Sequence, residues 1–315
     1  MVVATLVLFE VGVRVLKDRL SLDAAYIETL PAKAEALDRE PGCRVLFLGN
    51  SLTRVGVEPD RFTAAVSAAG VDGVSAAVVH QSDSRIVEWY RMFDRYYAKE
   101  GVVPDAVVLG YAHAQIQDTP LRSEEIQRLG LYYTSVSDIE DVFEHDLTGF
   151  DERAEFLLSK VSVSYAFRDK VARGVGRALI PGYNRALLWL NRKQRQELVR
   201  ASGGTASEYS RLERFIRKAR EQGTEVAVVA MPLDGQEVTV EAASAATERA
   251  GGTFLDAQGV EVFTDGDFAD DVHLSPEGAA KYSDYIGAEL EPFLRGACGA
   301  RARGERAPPE ASGGA

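Results

Sequence analysis

Ser51 lies in RVLFLGNSLTRVGV, Arg44 to Val57, where an apolar run gives way to Gly-Asn-Ser and then to polar residues. A hydroxyl at such a point has two readings. The structural one is a tight turn at Gly49 with Asn50 or Ser51 capping the helix that follows. The chemical one is a nucleophile at the carboxyl edge of a sheet, where open α/β folds bind their ligands. Near the other end of the chain, FADDVHLSPEG places Asp270 three residues before His273, just ahead of a helix start. A lone histidine there is ordinarily a packing or surface residue. An acid at that spacing and a strand-end serine supply the three parts of a hydrolytic triad: Ser51 the nucleophile, His273 the base and Asp270 the group that orients it. Asp271 is a second candidate for the orienting role. Of the four histidines, His80 and His145 have no partner visible in sequence and read as structural. No glycine-rich phosphate loop, Cys/His metal cluster or dinucleotide fingerprint is present, so the expectation is a reaction without cofactor or metal.

The triad can form only if the fold brings residues more than two hundred positions apart to one edge, and the pattern of elements predicts such a fold. VLFLG reads as a buried strand, EPDRFTAAVSAAG as a helix, VSAAVVH as a strand and SRIVEWYRMFDRYYAKEG as a helix with Ser84 as N-cap. PDAVVLGYAH is a third strand. Alternation resumes with the helix SEYSRLERFIRKAREQG, the strand EVAVVAMP, a helix around EAASAATERAGG, the short strand TFLDA and a last helix from SPEGAAKYSDYIGAELEPFL, with Ser275 as N-cap and Pro276 in the first helical position. Strict alternation implies parallel strands with right-handed crossovers. The expected class is α/β: a three-layer α/β/α sandwich on a flavodoxin-like, doubly wound parallel sheet of about five strands. Between about 115 and 202 the alternation stops, and segments such as DERAEFLLSKVSVSYAFRDKVARGV and NRALLWLNRKQRQELV read as a helical insertion. The expected organisation is an N-terminal helical segment over 1–40, the α/β domain over 41–298 and a disordered tail over 299–315.

A chain of 315 residues, 46% hydrophobic and 27% charged, can bury a sizeable core. Its net charge of -12 excludes a nucleic-acid binder, which needs a basic surface to neutralise phosphates. The two cysteines, Cys43 and Cys298, form either one disulfide in an exported protein or two ordinary thiols. The opening MVVATLVLFEVGVRVL is apolar but interrupted by Glu10 and Arg14, and is short of the roughly 20 residues a bilayer span requires. Two readings stand side by side: an amphipathic helix with Glu10 and Arg14 paired at i, i+4, in a soluble protein, or the end of a membrane anchor that begins upstream.

VLFLGNSLT and DDVHLSPEG together, in this order, resemble the nucleophile block and the closing block of the SGNH/GDSL hydrolases, with Gly49-Asn50-Ser51 where Gly-Asp-Ser usually stands. The resemblance covers roughly Arg44 to Tyr111 and Glu208 to Leu294. It implies a serine-dependent ester hydrolase in which Ser51 attacks, His273 shuttles the proton and Asp270 orients the imidazole. It also implies an oxyanion hole, for which the Ser51 amide, the amide of Ser82 or Ser84 in HQSDSR, and the His113 side chain in GYAHAQ are the candidates. The family's glycine after the second strand and asparagine after the third are both missing. Asn50 and Asp271 are supporting candidates. The N-terminal segment, the divergent third block and HLSPEG resemble a membrane-anchored branch that O-acetylates cell-envelope polysaccharides. The implied function is an esterase acting on an acylated carbohydrate or lipid of the envelope, at the periplasmic face of the membrane. The alternatives are an O-acetyltransferase and an inactive glycan-binding protein, and any membrane association is assigned to the N-terminal helix.

Overall fold

Strand β1 (Cys43–Gly49) is buried at every position, the pattern of a strand covered on both faces. It lies inside a single parallel sheet with β2 (Val74–His80), β3 (Ala106–Tyr111), β4 (Glu225–Ala230) and β5 (Thr253–Asp256), in the order β2-β1-β3-β4-β5. This is the flavodoxin-like order, with its switch point between β1 and β3. The register aligns Gly49 with His80, Leu48 with Leu109 and Tyr111 with Ala230, so β1, β2 and β3 end close to one another along the carboxyl edge. The computed structural model describes residues 2–183, 208–234, 240–259 and 262–302.

The described helices, in chain order, are α1 (Val2–Leu20), α2 (Leu22–Ile27), α3 (Leu30–Arg39), α4 (Ser51–Gly56), α5 (Pro59–Ala68), α6 (Ile86–Phe93), α7 (Ser123–Arg128), α8 (Ile139–His145), α9 (Phe150–Val161), α10 (Val163–Ala166), α11 (Arg168–Leu179), α12 (Ser210–Glu221), α13 (Glu241–Arg249), α14 (Pro276–Glu289) and α15 (Glu291–Ala302). The chain divides into two compact units, one of Met1–Glu28 with Pro120–Glu208, the other of Thr29–Thr119 with Tyr209–Ala315.

The second unit holds the sheet. One side of its core is built from Val45 and Phe47 of β1, Val108 of β3, Val229 of β4, Phe62 and Val66 of α5, and Tyr282 and Ile286 of α14. Phe62 meets Phe47 edge-on at 4.8 Å. α14 lies so close to α5 that a Cβ on Gly287 would fall 2.7 Å from Ala65 Cβ. α3 belongs to this unit, because Leu30, Ala34 and Leu37 give it an apolar face that is buried.

Three elements differ from the sequence expectation. The helix read from EPDRFTAAVSAAG is α5, but a further short helix, α4, precedes it, with Val57 and Glu58 extended between the two and Pro59 opening the second. Ser84 does not cap α6; Arg85 holds the N-cap position and the Ser84 hydroxyl is engaged elsewhere. The C-terminal helix continues through Gly299 to Ala302, held by buried Ala297 and disulfide-bonded Cys298. The remainder of the tail and NRALLWLNRKQRQELV lie outside the described residues.

Among the described residues the first unit contains helices and no strand, and it takes in residues 1–28 as well as the insertion. Glu10 joins α1 to α10: its carboxylate accepts the Val163 and Ser164 amides, each at 2.9 Å, and the Ser162 and Ser164 hydroxyls at 2.9 and 2.7 Å. Arg14 pairs with it at 2.9 Å. Burial raises the Glu10 pKa, but the hydrogen bonds from Ser164, Arg14 and Val163 outweigh it and hold the carboxyl far below the ordinary range. The apolar side chains of α1 before Glu10 face solvent, with Leu6 62%, Leu8 72% and Phe9 50% exposed. No described helix is long and apolar enough to cross a membrane.

A disulfide joins Cys43, the first residue of β1, to Cys298 of α15, with a Cα–Cα distance of 5.3 Å and 255 residues of sequence separation. Closing so long a loop restricts the unfolded chain strongly. Cys298→Ser is therefore expected to lower the unfolding free energy by about 3–5 kcal/mol, with dithiothreitol doing the same to the wild type; a urea midpoint unmoved by either would refute this.

Candidate active site

Ser51 is the first residue of α4, and three contacts set its position. Asn50 is the N-cap, its Oδ1 accepting the Leu52 amide at 3.0 Å. Gly49 ends β1 without a side chain, and a Cβ there would meet Thr53 Oγ1 at 2.0 Å, so glycine is what lets the first turn fold back over the strand end. Thr53 in turn donates to the Gly110 carbonyl of β3 at 3.3 Å. Leu52, Thr53 and Gly56 are buried, leaving Ser51 half-buried on the other side of the helix.

The loop before α14 is built as a small hairpin. Phe268 and Leu274 form an antiparallel bridge, and the Ala269 amide donates to the His273 carbonyl at 2.8 Å. Below it, Asp267 accepts the Thr264 amide at 2.8 Å and pairs with Lys281 of α14 at 2.8 Å. A Cβ on Gly278 would lie 2.0 Å from the Asp267 carbonyl oxygen, so that glycine lets the loop rest on the helix. Ser275 caps α14 through the Gly278 amide at 3.2 Å.

Between them the two segments bring Ser51, His273 and Asp270 together. Ser51 Oγ lies 3.0 Å from His273 Nε2. His273 Nδ1 lies 3.0 and 2.9 Å from the two carboxylate oxygens of Asp270. Asp270 Oδ1 also accepts the amides of Val272 at 3.0 Å and His273 at 2.8 Å. The Val272 amide, then the His273 ring and the His273 amide, draw the Asp270 pKa down from 3.8 to about 2, although its side chain is 56% exposed. A carboxylate on Nδ1 selects the tautomer in which Nε2 is bare and able to accept a hydrogen bond from the Ser51 hydroxyl. Asp271 is exposed, and the ring nitrogen bonds to Asp270 instead.

The oxyanion candidates separate. The Ser51 and Ser82 amides have no acceptor among the described residues. The Ser84 amide is committed to the Gln81 carbonyl at 3.2 Å. His113 is exposed in the loop after β3 with left-handed backbone, φ 51. Asp83, in the loop after β2, has φ 54, so Gln81–Ser84 is a turn whose third residue adopts the conformation glycine favours. Backbone strain of this kind collects at functional sites.

What the sequence does not reveal is the part played by the Ser84 side chain. Buried Ser84 Oγ donates to the Gln81 carbonyl at 2.6 Å and accepts the indole N–H of fully buried Trp89 at 2.7 Å. Its carbonyl accepts from Asn50 Nδ2 at 3.4 Å. Ser84 thus ties the turn bearing the Ser82 amide to the corner bearing Ser51. The Ser84–Trp89 spacing of five is the only trace in sequence. Among the described residues no three His, Cys, Asp or Glu side chains converge as a metal site would require.

No protein-family profile matches the chain, and no curated protein matches it in sequence. Among solved structures it is similar to a lipase/acylhydrolase from Enterococcus faecalis, at 13% identity and a TM-score of 0.41, over 79% of this chain and 96% of that one. At that distance the chemistry has to be read from the geometry of the site itself.

Two outcomes are expected. In a carboxyl-carbon NMR titration Asp270 should show a midpoint near 2, rising towards the ordinary value of about 3.9 in His273→Ala; an unperturbed midpoint in the wild type would contradict the arrangement. The sign follows: a carboxylate whose pKa is lowered on folding stabilises the fold above its unfolded pKa and loses that contribution as pH falls through about 2. Ser84→Ala leaves the Trp89 N–H buried without its acceptor and should cost about 1–3 kcal/mol in urea unfolding; a cost within error of zero would deny Ser84 its role.

Proposed function

We propose that the protein is a serine-dependent acyl-ester hydrolase of SGNH/GDSL type. The observation that carries this reading is the chain of hydrogen bonds from Ser51 Oγ through the His273 ring to Asp270. In the proposed reaction Ser51 Oγ attacks an ester carbonyl carbon while His273 Nε2 takes its proton. The carbonyl oxygen becomes an oxyanion facing the Ser51 and Ser82 amides, whose N–H groups need no reorganisation to receive it. Asp270 stays ionised and supports the imidazolium. Collapse returns the proton from His273 to the leaving alcohol and leaves the acyl group on Ser51. Water, deprotonated by His273, then releases the acid and restores the serine.

In this reading the third oxyanion donor is the weak point, with His113 in the place where the family carries asparagine. One donor lost elsewhere costs about 10²- to 10³-fold in rate, so turnover of small esters is expected to be slow. The Cys43–Cys298 disulfide favours an oxidising, extracytoplasmic compartment. The exposed apolar residues of α1 favour contact with a membrane surface. Those two features keep open the transfer reading, in which the hydroxyl of an envelope polysaccharide replaces water as the acceptor.

Ser51→Ala should abolish labelling by a fluorophosphonate and release of acetate from a chromogenic acetyl ester, with the thermal midpoint close to that of the wild type. Asp270→Asn should lower the rate by about 10²- to 10⁴-fold by favouring the wrong imidazole tautomer. Labelling that survives in Ser51→Ala would remove the nucleophile and the reading with it. Adding an oligosaccharide acceptor separates hydrolysis from transfer: acetylated sugar at the expense of acetate indicates the latter.

A further inference from the structure

Arg54 lies one turn beyond Ser51 on α4, its amide donating to the Asn50 carbonyl at 3.0 Å. Residues three apart on a helix are surface neighbours, with Cβ atoms about 5–6 Å apart. Helical side chains lean towards the N-terminus, so the Arg54 side chain leans over the turn that begins with Ser51. The opposite face of α4, Leu52, Thr53 and Gly56, is buried, which leaves Arg54 exposed on the same side as the nucleophile.

Among the described residues the Arg54 guanidinium makes no ion pair, hydrogen bond or ring contact. That is unexpected in a chain with 48 acidic and 36 basic residues. The acid of the site, Asp270, is taken by His273 and two backbone amides. Glu58, four residues on along the chain, carries no ion pair with Arg54, and its amide is held by Ser283. A cation beside a nucleophile, with no partner among the described residues, has its donors available to the substrate. Its planar fork matches the oxygens of a carboxylate or phosphate two at a time.

We infer that Arg54 reads an anionic group on the ester substrate, a carboxylate or a phosphate about one sugar ring or aromatic ring away from the carbonyl under attack. This rests on the serine-esterase reading and narrows it: the substrate is an acidic ester, and Arg54 selects it by charge. The overall charge of -12 repels anions at long range, so recognition is local and shows in specificity more than in encounter rate.

The test uses the full chain and three aryl acetates that differ in charge: methyl 4-acetoxybenzoate, 4-acetoxybenzoate and 4-acetoxyphenyl phosphate. The wild type should favour at least one of the two anions over the neutral ester in kcat/KM, corrected for the spontaneous rates, and the two anionic arms tell carboxylate from phosphate. In Arg54→Gln the ratio of anionic to neutral kcat/KM should fall about 5- to 30-fold, Arg54→Lys should restore part of it, and added salt should compress it in the wild type alone. A wild-type ratio of one, or a ratio that Arg54→Gln leaves unchanged, overturns the inference. Fluorophosphonate labelling of Ser51, run in parallel, tells the two failures apart. Labelling with no dependence on Arg54 sinks the anionic substrate alone, whereas no labelling takes down the esterase and the inference built on it.

Discussion

At the end of β1 there is room for a backbone and nothing more. The place a Cβ on Gly49 would occupy is filled by Thr53, whose hydroxyl reaches across to the Gly110 carbonyl of the neighbouring strand. Because of that close approach α4 starts immediately after the strand instead of after a loop, and Ser51 is its first residue. Everything chemical in the site is referred to this corner. Asn50 caps the helix with its oxygen and holds the Ser84 carbonyl with its nitrogen, so one buried amide fixes both the Ser51 corner and the neighbouring turn. A methyl group on Gly49 would have to push α4 away from the sheet, and the serine would leave the reach of His273 with it.

The other half of the site depends on very little of the fold. Asp270 and His273 are three residues apart and find each other within their own loop, with the Val272 and His273 amides holding the carboxylate and Ala269 closing the hairpin. The Asp270–His273 pair is thus assembled locally, and one long-range contact, between Ser51 and a histidine 222 residues away, joins it to the strand end. The parallel sheet supplies that contact, because the loops after its strands open on the same edge.

This division explains what could be read from the sequence. Strand and helix alternation, the order of the sheet and the Asp-x-x-His spacing are periodic or local signals, and the chain carries them openly. Features that depend on tertiary partners were hidden. Ser84 looks like an N-cap because serines before helices usually are, yet its hydroxyl turns to Gln81 and to Trp89. The Cys43–Cys298 pairing spans almost the whole α/β unit, and no spacing rule reaches that far. Glu10 looked like half of an i, i+4 surface pair with Arg14. It makes that pair and also caps α10, from 152 to 154 residues away. That contact assigns the N-terminal helix to the insertion, whereas composition alone had grouped it with α3.

The placement of charge follows the same logic of local commitment. Asp270 is more than half exposed, where water screens a charge and a single ion pair contributes little. Its carboxyl is nonetheless held near 2, because three donors converge on it from a loop of four residues. Arg54 is exposed as well, and no protein group among the described residues converges on it. In one helical turn and one hairpin, then, the anion is held by three donors of its own loop, and the cation has no partner among the described residues. A solvated arginine at a random surface position would mean nothing. Set on the same face as Ser51, in a protein with a surplus of carboxylates, it is a charge that no described residue answers, and in the proposed reading a substrate that brings an anion to the ester would complete the electrostatics of the site.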